Sequence, residues 1–438
     1  MAEIVSPWGS YKKAMMAAKY GADAVYVGVP FLSLRMRQNK LKDFEILKKT
    51  IVDLQAMWKK AYLTINIFPR NTDIKIIEST IEKISDLGAD SVIFSDPGVY
   101  NTLKRYMGDK VNYHLSTQTS TLNYEAVKFW YDLWVDRVVL AREVNIKEIV
   151  EIKKHVPKVE IEAFVHGAMC MTYSGRCLLW EYFSGRDGNK WECSHVCRYK
   201  FKTYIEEERR PGKFIQVDQD ESGTYLLSSK DLCTIQHGQE LYDHVDSWKI
   251  EWRSKSEFYV WAVTKAYSHL RDSMANGTEP NPEILELVNK IPHRYYWDGF
   301  LFNDIRTSKP EGEPGEGIIT TTQDTAGPVK TKQYIGVITD IKFEKDDKTY
   351  FQLTPKHNIL VGDTLQVLDD SGLEKEITVD SLLSKTKEPI ERVTCNHPDI
   401  WISAEGLAEW NIMYIPEKAG TVDKGDKEET TGCINCKG

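Results

Sequence analysis

Five of the eight cysteines in this chain of 438 residues lie between Cys170 and Cys233. Six residues separate Cys170 from Cys177, fifteen separate Cys177 from Cys193, three separate Cys193 from Cys197, and Cys233 follows after a long gap. Thiolates crowded onto one segment usually bind a metal or form a redox centre. No pair here has the C-x2-C spacing of a zinc knuckle, and the irregular spacing favours an iron–sulfur cluster.

Three other interpretations of these cysteines stay open at this point. The first is a structural Zn²⁺ site. The second is a set of buried apolar cysteines, although burial does not explain their clustering. The third is a catalytic Cys–His pair, because His166 precedes Cys170 by four residues and His195 is close to Cys193.

The last of the five cysteines has its own sequence context. Ser229, Lys230 and Asp231 precede Cys233 and have the pattern of a helix N-terminus. The helix dipole lowers the pKa of a thiol at such a position. The sequence therefore predicts a helix start and a readily ionised thiol at Cys233.

The first 250 or so residues alternate short apolar runs with helical patterns, as repeated βα units do. The words GADAV and GADSV, at residues 21–25 and 88–92, each place a helix-ending glycine just before a strand. Eight units predict an α/β fold with a (β/α)8 TIM-like barrel, and an open doubly wound sheet is the alternative. The predicted strands are Glu3–Ser6, Ala24–Val29, Leu63–Phe68, Ser91–Ser95, Val111–Ser116, Arg137–Ala141, Glu160–Val165 and Trp248–Trp252. The predicted helices include Tyr11–Tyr20, Phe44–Lys59, Asp73–Leu87 and Tyr124–Leu133.

The cysteine-rich segment begins directly after the seventh predicted strand. In a TIM barrel this is the catalytic face, and polar residues at other strand ends should join it there. Guanidinium groups suit an anionic metabolite or RNA phosphate. The predicted substrate-binding residues are Arg35, Arg37, Gln118, Arg142 and Arg253. The predicted acid–base or orienting residues are Glu143, Glu162, Glu251 and His166, and Asn66 and Asp96 are expected at the same face.

Changes in composition divide the chain into four parts. Residues 1–305 form the predicted barrel, with a cysteine-rich insertion at about 166–235. A linker rich in Gly, Pro and Thr covers 306–330. Short strand patterns separated by turns predict a small antiparallel β-barrel at 331–415. The remaining residues, 416–438, have the composition of a flexible tail and contain Cys433 and Cys436 in a lone C-x2-C pair.

Charge and hydropathy narrow the possible partners. No apolar run approaches the ~20 residues that span a bilayer. The first residues have no apolar signal core, so we expect a cytoplasmic protein with reduced thiols. The net charge is −8 for the chain and −6 for residues 330–438. Charge alone therefore does not indicate nucleic-acid binding, and the C-terminal barrel could equally bind a protein partner.

Several distinctive segments together resemble a known family. The longest is EAFVHGAMCMTYSGRCLL at residues 162–179, and SWKIEWRSKS lies at 247–256. Shorter ones are GADAVYVG at 21–28, Arg35-x-Arg37, HLSTQTSTLN at 114–123, RVVLARE at 137–143, CRYKF at 197–201 and SSKDLC at 228–233. These segments resemble the U32 peptidase family of collagenase-like proteins, strongly over residues 1–270 and loosely over the C-terminal barrel. Within the family the resemblance is strongest to members that hydroxylate tRNA.

The resemblance implies a function and a cofactor. The function is 5-hydroxylation of the wobble uridine (U34) of tRNA, with prephenate as a required metabolite. The cofactor is a [4Fe–4S] cluster, with Zn²⁺ as the alternative. By position in the family pattern, the implied ligands are Cys170, Cys177, Cys193 and Cys233, with Cys197 as the alternate.

Two other functions stay open. One is a metal- or thiol-dependent peptidase, although the sequence contains no HExxH motif. The other is a non-catalytic iron–sulfur scaffold or electron-transfer partner. The sequence also departs from the family pattern in having Trp180, Trp191 and Trp252 where small residues are usual. These indoles could stack on a base or an aromatic metabolite, or repack the loop.

Overall fold

The structure is a computed structural model that describes residues 1–30, 32–33, 43–169, 174, 204–206, 214–216, 230–251, 256–294, 296–303, 332–369, 372, 374–394 and 397–416. Eight parallel strands form a closed barrel. They are β1 (Glu3–Pro7), β2 (Ala24–Gly28), β3 (Lys60–Ile65), β4 (Ser91–Phe94), β5 (Asn112–Leu115), β6 (Arg137–Val139), β7 (Glu160–Ala168) and β11 (Ser247–Ile250). The barrel closes because Ser247 of β11 pairs with both Glu3 of β1 and Glu162 of β7.

Helices cover the outside of the barrel. They are α1 (Tyr11–Lys19), α2 (Phe44–Ala56), α3 (Asn71–Ser85), α4 (Pro97–Met107), α5 (Tyr124–Asp132), α6 (Ile146–His155), α7 (Gly238–His244) and α8 (Glu257–Asn276). Apolar residues recur at helical spacing, so each helix buries one face against the strands. In α2 the buried residues include Leu47, Ile51 and Leu54. Two short helices follow α8: α9 (Pro282–Leu285) and α10 (Gly299–Phe302).

The closed barrel confirms the predicted fold, and the open doubly wound alternative was wrong. Each of the eight predicted strands corresponds to a barrel strand. The third was predicted three residues too late, at Leu63–Phe68. It begins at Lys60 because the chain turns back directly after α2, with the amide of Lys59 donating to the Leu54 carbonyl at 3.0 Å.

The chain between β7 and β11 contains an insertion. Strand β10 (Asp231–Cys233) pairs antiparallel with the end of β7, and β12 (Tyr296–Trp297) pairs with β10. A two-stranded hairpin, β8 (Tyr204–Glu206) and β9 (Phe214–Gln216), also belongs to it. Strand β7 therefore pairs both with the barrel strands β6 and β11 and with β10.

Residues 332–416 form antiparallel sheets. The strands are β13 (Lys332–Lys345), β14 (Lys348–Leu353), β15 (Ile359–Leu360), β16 (Thr364–Leu368), β17 (Glu374–Thr378), β18 (Ser381–Leu383), β19 (Pro389–Ile390), β20 (Arg392–Val393), β21 (Ile400–Ser403) and β22 (Ile412–Pro416). Eight of them form one sheet in the order β17-β16-β22-β13-β14-β21-β18-β19, and β15 pairs with β20. This confirms the predicted antiparallel C-terminal unit, to which the structure adds strands such as β15, β19, β21 and β22.

The C-terminal sheet packs on the barrel helices. The ring of Phe258 in α8 stacks with Tyr334 at 5.9 Å and with Tyr414 at 6.0 Å between centroids. Lys12 Nζ of α1 donates to the Val337 carbonyl at 3.0 Å. The predicted linker and the C-terminal tail lie outside the described residues. Among the described helices, none is long and apolar enough to cross a membrane.

Two tryptophans occupy turns that favour glycine. Gly21 and Gly88 precede β2 and β4 with φ of +108° and +71°, which confirms the predicted helix-ending glycines. At the corresponding turns before β3 and β6, Trp58 and Trp134 have φ of 60° and 66°. Their side chains are 95% and 77% exposed, so packing does not compensate for the left-handed backbone.

Replacing Trp58 with glycine is expected to raise the free energy of unfolding by about 1 kcal/mol, because glycine adopts positive φ without a Cβ clash. Urea denaturation of the purified protein measures this gain. Trp58→Ala is the control, since alanine removes the exposed indole but keeps the backbone strain. An equal gain from both variants would contradict this explanation.

Candidate functional site

A line of polar side chains follows the carboxyl ends of β2 to β5. Ser33 Oγ donates to Asn66 Oδ1 at 3.4 Å, and Ser95 Oγ donates to Gln118 Oε1 at 3.0 Å. Ser95 Oγ also lies 3.3 Å from the Asn66 carbonyl. Gln118 and Asn66 therefore lie at the barrel face where the sequence placed them. Asp96 lies there too, but its carboxylate caps α4 by accepting from the amides of Gly98 and Val99.

Arg142 and Glu251 form a buried ion pair at the same face. Nη2 of Arg142, after β6, donates to Oε2 of Glu251, directly after β11. Their side chains are 8% and 4% exposed. The guanidinium also lies over the Phe164 ring, 4.0 Å from its centroid, in a cation–π contact. The predicted arginine and carboxylate thus come together and neutralise each other, which fixes the plane of the guanidinium.

Glu143 hydrogen-bonds to Ser174, a described residue of the cysteine-rich segment. Its Oε1 accepts from the Ser174 amide at 3.1 Å, and its Oε2 accepts from Ser174 Oγ at 3.2 Å. Ser174 lies between Cys170 and Cys177 in the sequence. Glu143 therefore connects the end of β6 to the stretch between two predicted metal ligands.

His166 is fully buried where β7 leaves the barrel. Its Nε2 lies 3.4 Å from the hydroxyl of Tyr296, and its ring centroid is 5.3 Å from that of Tyr296. The rings of Tyr259 and Tyr267 are 5.9 Å and 5.6 Å away. In the antiparallel pairing of β7 with β10, His166 is the partner of Cys233. The predicted histidine and one predicted ligand are thus brought together inside an aromatic enclosure.

Gly167 makes this arrangement sterically possible. Its φ is +108°, and a Cβ at this position would lie 2.7 Å from the Tyr259 hydroxyl and 3.1 Å from the Glu251 carbonyl oxygen. The Glu251 amide donates to the His166 carbonyl at 2.8 Å, directly beside it. Close approach of two backbones at a positive φ requires glycine here.

Gly167→Ala is expected to lower the free energy of unfolding by about 2 kcal/mol or more, from backbone strain and overpacking together. Gly88→Ala is the matched control, because Gly88 has φ +71° but a Cβ added there would meet no atom within 4 Å. We expect this control to lower the free energy of unfolding by about 1 kcal/mol, from backbone strain alone. Equal losses in urea denaturation would show that the contacts with Tyr259 and Glu251 do not matter.

Cys233 lies in a strand, so the predicted helix start was wrong. Asp231–Cys233 forms β10 because its backbone pairs with β7. The predicted lowering of the thiol pKa was also wrong, since burial raises the pKa of Cys233 to about 11. The hydroxyl of Tyr267 lies 3.9 Å from Cys233 Sγ and donates to the Val165 carbonyl at 2.8 Å.

The chemistry of Cys233 fits a metal centre. A buried thiol beside the strand that leads into Cys170 is a suitable soft ligand for iron or zinc. Within the described part of the chain, no group of three or more His, Cys, Asp or Glu residues could hold a metal ion. The predicted ligands Cys170, Cys177 and Cys193, with the alternate Cys197, lie outside the described residues. So do Arg35, Arg37, Arg253, Trp180, Trp191, Trp252, Cys433 and Cys436.

Glu162 is not brought to this face. It precedes His166 by four residues on β7, which corresponds to about 13 Å along a strand. Its side chain is fully buried inside the barrel, where Oε1 lies 2.5 Å from Lys249 Nζ and Oε2 lies 3.1 Å from Arg137 Nη1. Ser247 Oγ donates to Oε2 at 2.9 Å. These contacts point to a structural role for Glu162.

Sequence reasoning missed several residues of the site. Ser174 was not among the predicted site residues, although its amide and its hydroxyl donate to the two carboxylate oxygens of Glu143. The three tyrosines around His166 come from α8 and β12, far from it in sequence. The structural role of Glu162 did have a signal in the sequence. Lys249 is a charged residue inside a short apolar strand, and such a residue needs a buried partner of opposite charge.

The closed barrel of eight parallel strands defines a (β/α)8 barrel protein. Its polar network and its insertion lie at the carboxyl ends of the strands, which is the face that holds the catalytic site in this class. A sequence profile of peptidase family U32 matches residues 9–310. The chain is 33% identical over 408 residues to tRNA hydroxylation protein P of Escherichia coli, covering 84% of this chain and 86% of that protein. This chain belongs to peptidase family U32.

Of two further relatives, one has the same name as the E. coli protein and the other has a different name. The tRNA hydroxylation protein P of Helicobacter pylori strain 26695 is 34% identical over 367 residues, covering 82% of this chain and 85% of that protein. A protein named collagenase from Porphyromonas gingivalis is 32% identical over 312 residues, covering 68% of this chain and 73% of that protein.

Proposed function

We propose that this protein is an iron–sulfur enzyme that hydroxylates tRNA, forming 5-hydroxyuridine at the wobble position U34. The observation that carries the proposal is the 33% identity to the E. coli tRNA hydroxylation protein P across 84% of this chain and 86% of that protein. The match covers most of the length of both proteins. The buried polar network at the barrel face supports an active site there.

The cofactor in this proposal is a [4Fe–4S] cluster held by Cys170, Cys177, Cys193 and Cys233, with Cys197 as the alternate. When bound, it would supply electron-transfer chemistry at the barrel face. Of these ligands the structure describes Cys233, whose buried position beside His166 is compatible with that role.

The protein's own residues would bind and orient the substrates. Arg142 is held by Glu251 and Phe164, so its remaining donors have a fixed direction. Together with Arg35, Arg37 and Arg253 it would bind the carboxylates of prephenate, the proposed co-substrate, or RNA phosphate. The uridine must be unstacked to expose C5, a geometry that an anticodon loop already allows.

His166, Glu251 and Gln118 are among the described polar residues of the barrel face, where such a base would bind. His166 is enclosed by three tyrosines, which exclude water from its ring. Gln118 is held by Ser95, so its amide NH₂ has a fixed direction at the barrel face. We assign Gln118 to substrate binding, and His166 and Glu251 to holding or moving a proton.

The test is the nucleoside profile of tRNA after deletion of the gene. Digestion and mass spectrometry of total tRNA should show loss of 5-hydroxyuridine and its derivatives, and mapping should place the loss at U34. Unchanged 5-hydroxyuridine in a strain without paralogues would contradict the proposal.

The collagenase relative supports a second candidate, a metal- or thiol-dependent peptidase. The two functions separate experimentally, because gelatin cleavage by the pure protein requires no tRNA. Cleavage that is lost in Cys170→Ser and Cys233→Ser, together with unchanged tRNA, would favour the peptidase.

A further inference from the structure

Ser174 has contacts that are unusual for a serine in a turn. It is only 3% exposed, and groups from two barrel loops converge on it. Both carboxylate oxygens of Glu143 accept from its amide and its hydroxyl, at 3.1 Å and 3.2 Å. Its Oγ lies 3.4 Å from the Arg142 amide and 3.5 Å from Thr117 Oγ1. Its hydroxyl thus donates to Glu143 and accepts from Arg142, while the Thr117 hydroxyl beside it donates to the Leu140 carbonyl at 2.9 Å.

The carbonyl of Ser174 is bound as well. It accepts a hydrogen bond from Ser120 Oγ. Ser120 has φ 53°, in the left-handed region that a serine rarely adopts. This conformation ends the short 3-10 turn Thr117–Thr119, which also holds Gln118. The backbone donor, the backbone acceptor and the side chain of Ser174 are therefore all bound by residues that follow β5 and β6.

Ser174 lies in the sequence between two of the predicted cluster ligands, so its contacts bear on where those ligands are held. Three residues separate it from Cys170, and two separate it from Cys177. Fixing the middle of so short a segment greatly restricts where its two ends can lie. A carboxylate that accepts from both an amide and a hydroxyl forms charge-assisted bonds, stronger than neutral ones.

We propose that Glu143 is a positioning residue, which fixes Ser174 at the barrel face and thereby holds the segment that carries Cys170 and Cys177. The inference rests on the proposed cluster. It assigns Glu143 a role different from acid–base catalysis, because both of its oxygens are engaged by Ser174. Groups that orient metal ligands typically change metal affinity 10- to 100-fold when removed.

The test compares Glu143→Ala and Glu143→Gln with Glu151→Ala, an exposed glutamate on α6 whose loss changes the charge equally. Anaerobically purified proteins are assayed for iron per chain and for the rate at which absorbance near ~400 nm bleaches in air. We expect Glu143→Ala to bleach at least tenfold faster, Glu143→Gln to be intermediate, and Glu151→Ala to match wild type.

A double-mutant cycle identifies Ser174 as the partner. Ser174→Ala removes one of the two hydrogen bonds to Glu143 and should bleach at an intermediate rate. Adding it to Glu143→Ala should cause little further change, because the two residues act through one contact. Additive effects would show that Glu143 acts elsewhere.

Hydrogen exchange separates failure of this inference from failure of the proposed cluster. Amides of residues 170–177 should exchange at least tenfold faster in Glu143→Ala than in wild type. If wild type holds no iron but this difference remains, the cofactor is wrong and the positioning role stands. Wild-type exchange and bleaching in both Glu143 variants, with tRNA hydroxylation lost, would overturn the inference and make Glu143 a catalytic residue.

Discussion

Cys233→Ala is expected to remove iron from the protein and to abolish tRNA hydroxylation. Cys233 is the predicted ligand that the structure places at the end of β7, opposite His166. Its loss leaves three of the four proposed ligands for the cluster. Iron should fall from about four atoms per chain to less than one, and the absorbance near ~400 nm should disappear. Alanine fills the small buried site with little loss of packing, so the fold should persist.

Two further variants make this experiment specific. Cys395→Ala, outside the predicted ligand set, should retain iron and colour. Cys197→Ala should do the same if Cys170, Cys177, Cys193 and Cys233 are the four ligands. A colourless wild-type protein with one zinc per chain would contradict the cluster and favour the zinc alternative.

Glu162→Gln is expected to lower the free energy of unfolding by about 3–5 kcal/mol, because it leaves the buried Lys249 without its carboxylate partner. Arg137 also loses one ion pair but keeps those with Glu3 and Glu160. Lys249 Nζ lies 2.5 Å from Glu162 Oε1, and Arg137 Nη1 lies 3.1 Å from Oε2. Glu160→Gln is the control, because Glu160 binds the same arginine at 2.6 Å but is 53% exposed. Glu160→Gln should lower the free energy of unfolding by less than about 1 kcal/mol.

The Glu162 carboxylate also predicts that the free energy of unfolding falls at acid pH. Burial by itself would raise the pKa of Glu162, but Lys249 and Arg137 outweigh it and lower the pKa from 4.5 to about 2. A carboxyl group with a lowered pKa contributes fully above its unfolded value, and this contribution is lost as pH falls from about 4.5 to about 2. Urea denaturation across this range should show the loss in wild type and a weaker slope in Glu162→Gln. A Glu162→Gln protein of wild-type stability that cannot modify tRNA would instead indicate a catalytic glutamate.

The barrel was predictable from sequence because each of its strands is a short apolar run next to a helical pattern. Glycine at positions such as Gly21 and Gly88 marked the turns between them. The same local signals located about half of the strands in the C-terminal unit, including β13, β14 and β16. They could not distinguish a closed barrel from an open sheet, because closure depends on β11 pairing with both β1 and β7.

The site was predictable only in outline. Strand ends placed Gln118, Arg142, Glu143, His166 and Glu251 at one face, as the structure does. Their partners came from long-range contacts that no local pattern encodes, such as Glu143 with Ser174 and Cys233 with His166. Glu162 was assigned to the same face as a candidate acid–base or orienting residue. Its place near the start of β7 puts it inside the barrel, where Lys249 and Arg137 required a buried anion.

The Arg142–Glu251 pair links the barrel strands to the proposed substrate site. Two residues that follow different strands are joined at the barrel face, against the ring of Phe164. The glycine at 167 allows the backbones beside them to approach closely. The proposed substrate site is therefore built on the rigid ends of β6, β7 and β11.

The central claim is that this chain makes 5-hydroxyuridine in tRNA, and one complementation measurement tests it most directly. The deletion strain is supplied with wild-type protein, with Cys233→Ala or with an empty vector, and 5-hydroxyuridine in purified tRNA is quantified by mass spectrometry. We predict that only the wild-type protein restores the nucleoside. Equal amounts of 5-hydroxyuridine in all three strains would contradict the claim.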